Sequence, residues 1–289
     1  MPIMNSLSPL IMAAVAYDAK VVTIWDGFQQ YFRRRGLEFD YVLYTNYEAQ
    51  VAAHMLGHVH VAWNSPLAWL QTERVATSLG RHAGALCMRD TDRDLTSIIL
   101  VRSDSRINDL RDLTGRRVAV GANDSPQATL IPLSYLASRG LVPRRDFEVL
   151  LFDRMIGKHG DHIGGERDGV RALVRGEADA ACILDANHLA FSRDGTIPSG
   201  ATRILAQTPP YDHCNFTVLD DAPKAQTARF RELLLGMSYA DAEVRPLLDL
   251  EGLKQWVPGR VEGYTQLAAA VDRFSTIDAF VQDSLARCK

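Results

Sequence analysis

The apolar and polar positions of the chain fall into short runs that switch between a continuous or alternating pattern and a helical one. Residues 10–16 are almost wholly apolar and end at Tyr17-Asp18, which predicts a buried strand. Residues 21–35 then place Val21, Val22, Ile24, Trp25, Phe28, Tyr31 and Phe32 at helical spacing, closed by Gly36. Residues 39–44 alternate and predict a second strand, followed by Thr45-Asn46-Tyr47 and a helix ending at Gly57. Residues 58–63 predict a third strand, which runs into Asn64-Ser65-Pro66 and a helix from Leu67. Three strands that each deliver a polar loop into a helix predict a doubly wound α/β fold, in which ligands bind outside the carboxyl ends of the strands.

The same alternation resumes further on. Residues 89–94 read as a charged loop, 96–101 as a buried strand and 102–115 as a polar connector, so a second domain begins near residue 100. Residues 117–120 predict a strand, 126–139 a helix stopped by Gly140 and Pro143, and 147–152 another strand. A Gly/His-rich loop at 157–165 precedes a helix at 168–175, strands at 178–184 and 202–206, and an extended stretch at 214–219. From 225 to 289 the chain reads as mostly helical, with amphipathic stretches at 230–239 and 267–280.

The segment from Gly115 to Leu130 organises this reading. A helix entered through Gly121-Ala122-Asn123-Asp124-Ser125 presents its first amides, with Ser125, Gln127 and Thr129, to whatever lies in front of them. An anion fits there. A plain helix cap by Ser125 or Asp124 fits as well.

Composition narrows the classes. The chain has 289 residues, 47% hydrophobic and 23% charged, the profile of an ordinary globular protein of one large or two smaller domains. A formal net charge of -3 argues against a nucleic-acid footprint, and no run approaches the roughly 20 apolar residues a spanning helix needs, so neither nucleic acid nor membrane embedding is expected. The four cysteines are scattered without a CxxC pair, and His58 and His60, on one face of the predicted third strand, lack a neighbouring carboxylate or thiolate. No metal and no cofactor is expected. The apolar run at 9–16 has no preceding Lys or Arg and no cleavage site after it. The expected compartment is therefore the cytoplasm if Met1 is the natural start, and the periplasm if a signal peptide has been removed.

Three motifs recur in a fixed order. Tyr47-Glu48-Ala49-Gln50-Val51 leads through Gly57 to Trp63-Asn64-Ser65-Pro66; Asp112-Leu113-Thr114-Gly115-Arg116-Arg117-Val118-Ala119 opens the central strand; Gly176-Glu177-Ala178-Asp179-Ala180-Ala181 follows the second-domain helix. Together they resemble the phosphate/phosphonate branch of the type II periplasmic binding proteins, over residues 10 to 220. The resemblance implies two α/β lobes, 1–100 with 207–289 and 101–206, joined by crossing strands near 98–101 and 204–208, with a ligand held in the cleft. It also implies an ABC transporter permease as a partner. The anion loop departs from the family's Ser/Thr run, because Asp124 repels a dianion unless it turns away or meets a cationic group, and Pro126 removes a donor.

On this reading the ligand is a small oxyanion such as a phosphonate, phosphate ester or sulfonate. The candidate ligand residues are Tyr17, Thr45, Tyr47, Asn64 and Ser65 in the first lobe, and Ser125, Gln127, Thr129, His162 and Asp185 in the second. Asp185 suits a ligand ammonium, or is an ordinary strand-end residue. The alternative is a cytosolic enzyme on the same fold that acts on a small anionic substrate, with His159, His162 and His213 as candidate catalytic groups and metal assistance conceivable. A cytosolic sensor of a small anion is a third reading.

Overall fold

The computed structural model describes residues 8–161 and 163–288. In chain order its strands are β1 (Leu10–Val15), β2 (Phe39–Tyr44), β3 (Val61–Asn64), β4 (Ala83–Arg89), β5 (Ser97–Arg102), β6 (Arg117–Val120), β7 (Glu148–Leu151), β8 (Ala180–Leu184), β9 (Thr202–Gln207), β10 (Asn215–Leu219) and β11 (Trp256–Pro258). The helices are α1 (Lys20–Arg34), α2 (Tyr47–Met55), α3 (Pro66–Ser78), α4 (Ile131–Ser138), α5 (Gly164–Val174), α6 (Asp185–Arg193), α7 (Lys224–Leu235), α8 (Arg245–Glu251), α9 (Thr265–Phe274) and α10 (Asp278–Arg287). The strands form a six-stranded sheet ordered β11-β4-β10-β3-β1-β2 and a five-stranded sheet ordered β7-β6-β8-β5-β9. This is the α/β class expected.

Each sheet belongs to its own compact unit. Unit 1 holds residues 1–93, 213–261 and 278–289; unit 2 holds 94–212 and 262–277. The expected lobe limits of 100/101 and 206/207 fall inside β5 and inside β9. Both are complete strands of the second sheet, paired antiparallel to each other, so the chain changes units at 93/94 and 212/213 instead. Residues 262–277, with α9, also return to unit 2, whereas the sequence placed everything after 207 in one lobe.

In unit 1, β1 pairs in parallel with β2 and β3, while β10 runs antiparallel between β3 and β4. The core on one face is aromatic. Phe216 of β10 lies at its centre, with ring centroids 4.6 Å from Trp63, 5.0 Å from Phe230, 5.2 Å from Trp256 and 6.0 Å from Trp25. Burying each such side chain stabilises by about 1.5–3 kcal/mol before entropy is subtracted. The helical stripe Ile24, Trp25, Phe28, Tyr31 and Phe32 of α1 is buried against this cluster, as its periodicity predicts.

In unit 2, β6 pairs in parallel with β7 and β8, and β5 runs antiparallel between β8 and β9. Period-two alternation sends Ile99 and Val101 into one apolar layer and Ile98 and Leu100 into the other, so β5 is covered on both faces. In unit 1, residues 83–89, assigned to no element from the sequence, form the antiparallel strand β4, and β11 interrupts the stretch from 225 that reads as mostly helical. His58 and His60 precede β3 rather than lying on it, and the Nδ1 of His60 accepts a hydrogen bond from the Ile11 amide at 2.9 Å.

His54, on α2, is 1% exposed. Burial lowers the imidazole from the ordinary 6.5 to about 4, with Asp221 opposing part of the effect. The unfolded chain therefore takes up this proton below 6.5, and the folded chain does so only near 4. Stability is whole above pH 6.5 and falls by about 3 kcal/mol as the pH drops from there to about 4. Urea titrations across that window measure the slope, and His54→Leu flattens it.

Candidate functional site

The loops that follow β6, β7 and β8 leave the sheet of unit 2 at one edge, because these strands run in parallel. The first of them carries residues 121–125. Ser125 caps the following helix by accepting from the Ala128 amide at 3.2 Å. The helix opens with a π turn, Pro126–Leu130, in which the Leu130 amide donates to the Ser125 carbonyl at 2.9 Å. Pro132 accounts for this irregularity. It has no N–H to give the carbonyls one turn earlier, so the Gly121 amide donates to Ala128 O at 3.3 Å and the Ser97 hydroxyl donates to Gln127 O at 2.5 Å. Helix and strand are thereby drawn together: a Cβ on Gly121 would stand 2.8 Å from that of Ala128.

The loop after β7 closes over this turn. Gln127 Nε2 donates to Gly160 O at 2.7 Å, and the Gly157 amide donates to Asp124 Oδ2. The fit is tight, since a Cβ on Gly160 would fall 2.3 Å from Ser125 Oγ. Lys158, 9% exposed, brings a cation into the cluster; burial pushes its ammonium down, and Asp161 opposes the shift. Three carboxylates share the edge. Glu166 is buried and accepts from the Leu184 amide at 2.9 Å and Asn187 Nδ2 at 2.8 Å, Asp124 keeps a buried Oδ1 with no partner among the described residues, and Asp185 is exposed and accepts from Thr96 Oγ1 at 2.9 Å. Gln127 Oε1 also has no partner among the described residues. This end of the sheet therefore offers charges of both signs.

Of the candidates in unit 2, Ser125 and Gln127 both meet the loop after β7 at Gly160, and Asp185 stands at the end of β8, the strand paired with β6. Thr129 is turned elsewhere, lining a cavity with Arg273 and Phe274. His162 lies outside the described residues, and His159 is fully buried in the same loop.

In unit 1, Tyr17, Thr45, Tyr47, Asn64 and Ser65 follow the carboxyl ends of β1, β2 and β3, again a single edge. Thr45 is exposed, Tyr17 half-buried and Tyr47 buried. Ser65 is a buried cap whose hydroxyl accepts from the Ala68 amide at 3.1 Å, while Asn46 caps α2 at 2.7 Å. Asn64 is committed inward: its amide nitrogen donates to Thr217 Oγ1 at 2.9 Å, and its oxygen accepts from Gln50 Nε2 at 2.8 Å. That network fixes the edge without reaching it.

The histidine of the enzyme reading in unit 1, His213, stands beside Asp92 and Cys214, at 3.5 Å from Asp92 Oδ1 and 3.1 Å from Cys214 Sγ. These three offer ligand atoms within 4.8 Å of one another. Arg89 already holds both Asp92 oxygens, at 2.6 and 2.9 Å, which leaves little charge for a cation. Burial would raise the Asp92 carboxyl, but Arg89 and His213 overcome it and hold the group at about 2.

The sequence model of one protein family, described as the periplasmic substrate-binding protein of a phosphonate ABC transporter, matches residues 11–264. The chain belongs to that family. Solved periplasmic binding proteins share its fold. PhnD1 from Prochlorococcus marinus, in complex with methylphosphonate, is 16% identical, with a TM-score of 0.69 over 93% of this chain and 100% of its own. XAC2383 from Xanthomonas citri, bound to ATP, is 17% identical at a TM-score of 0.66, covering 96% and 98%. The aliphatic sulphonate binding protein SsuA from Escherichia coli is 18% identical at 0.59, covering 95% and 89%. The role that follows is solute binding, and the enzyme alternative has no counterpart in the family description. Among the described residues, no helix is long and apolar enough to cross a membrane.

Lys158 and Glu166 escaped the sequence reading. Each is a single charged residue in or beside a Gly-rich loop, with no spacing to mark it, and only the fold over Gln127 buries them. Gly121→Ala should cost about 1–3 kcal/mol through overpacking against Ala128, measured by urea denaturation. Adding Ala128→Gly should recover part of that loss, as expected of two residues in contact.

Proposed function

We propose that this chain captures a small oxyanion for an ABC transporter in the periplasm, and that the loop after β6 receives the anion in unit 2. Supporting residues there are Ser125, Gln127 and Lys158, with Asp185 at the end of β8. In unit 1 the corresponding residues are Tyr17, Thr45, Tyr47 and Ser65, with Asn64 acting as their support. The observation that carries the reading is the π turn at Pro126–Leu130, opening at the carboxyl end of three parallel strands and bonded through Gln127 to the loop that contains the buried Lys158.

The surrounding charges refine the ligand. Asp124, Glu166 and Asp185 oppose a bare dianion, so the ligand that fits carries one oxyanion group and a hydrogen-bond donor or ammonium. Phosphonates and sulfonates with an amino substituent belong to this class.

A thermal-shift and calorimetric series tests it, with methylphosphonate, 2-aminoethylphosphonate, taurine and inorganic phosphate as probes. A ligand at 100 times its dissociation constant stabilises by about 2.7 kcal/mol. The aminoalkyl compounds should bind more tightly than methylphosphonate. Ser125→Ala with Gln127→Ala should remove the shift, and Asp185→Asn should abolish the preference for the amine.

A further inference from the structure

Unit 2 holds a second concavity, on another side of the turn just described. It measures about 460 Å³, and none of Ser125, Gln127, Lys158 or Asp185 lines it. Its floor is the stripe Thr129, Leu133 and Ala137, spaced four apart along the helix, and its opposite wall includes Leu151 and Phe274. A space of this size with mostly apolar walls and a few polar groups is the usual form of a small-molecule site.

The polar groups at its rim are of one sign. Arg144 and Arg273 both line the cavity, and no carboxylate does. Neither arginine makes an ion pair among the described residues, whereas the adjacent Arg145 is held by both oxygens of Asp146 at 2.9 and 2.8 Å. A short turn fixes Arg144 in place. The Val142 amide donates to Asp146 Oδ2 at 2.7 Å, the Arg144 amide donates to Phe147 O at 3.0 Å, and Arg144 itself has a left-handed φ of 65°. Thr129 adds a buried hydroxyl that lacks a partner among the described residues.

We infer that this cavity binds an amphipathic monoanion: an aliphatic or aromatic body laid on Leu133, Leu151 and Phe274, with its carboxylate or sulfonate between Arg144 and Arg273. Charge selects the head, because two unneutralised guanidinium groups with no opposing acid favour an anion in their vicinity. The apolar stripe selects the body. The site uses none of the side chains proposed to hold the oxyanion, although Asn123, Thr129 and Leu130 of the same segment line it.

Octanoate, followed by calorimetry on the whole chain and by displacement of 8-anilinonaphthalene-1-sulfonate, tests it, with octanol as the neutral control. One saturable octanoate site per chain is expected, and octanol should bind at least about tenfold more weakly. Arg144→Ser with Arg273→Ser changes two exposed side chains and should weaken octanoate by about tenfold or more without altering the circular dichroism spectrum. The absence of saturable octanoate binding overturns the inference. Binding that the double substitution leaves unchanged overturns it equally.

Discussion

Gly121 and Ala128 meet where no larger side chain on the strand would fit, and the candidate site of unit 2 depends on that contact. It exists because Pro132 has no amide proton. The carbonyl of Ala128 is released from the helix ladder, the amide at the end of β6 takes it, and the first turn widens to the π form. Ser97 satisfies the Gln127 carbonyl from the neighbouring layer, so the irregular turn leaves neither of these two carbonyls orphaned. With the backbone held this way, Gln127 reaches Gly160 of the loop after β7, in which Lys158 is buried. A local defect in one helix thus draws two loops to one point.

Unit 1 reaches a similar edge by other means. An aromatic core centred on Phe216 holds the sheet, and the amide of Asn64 ties β3 to α2 through Gln50 and to β10 through Thr217. These buried hydrogen bonds serve position: every polar atom that Asn64 uses is spent on its neighbours, which fixes where Ser65 begins α3. The exposed Thr45 and half-buried Tyr17 sit at the ends of strands whose parallel pairing brings them to the same edge. In both units, therefore, strand direction decides which residues share an edge, and packing decides which of them remain available.

Much of this was legible in the chain because the periodic segments are strong. The α1 stripe, the doubly buried β5 and the strand–loop–helix at 117–130 follow directly from spacing. Three elements carried no such signal. β4 reads Ala-Gly-Ala-Leu-Cys-Met-Arg, too small and unalternating to announce a strand, and its antiparallel partners come from far along the sequence. β11 is only three residues long and is held by that same partner. α6 buries Phe191 alone, so no apolar stripe marks it. The functional residues divide in the same way. Cap-type residues at strand ends can be read from the sequence, whereas the inward commitment of Asn64, the burial of Lys158 and Glu166 and the displacement of Thr129 to another cavity all depend on contacts between segments dozens of residues apart.

The family fixes the role of the chain as solute binding, and our proposal gives the work in unit 2 to one short turn. Amide chemical shifts of the isotopically labelled chain, followed while 2-aminoethylphosphonate is added, test that assignment directly. The account predicts that the largest changes fall on residues 121–130 and 157–161. Saturable binding that leaves those amides unmoved, with the changes concentrated elsewhere, would contradict it.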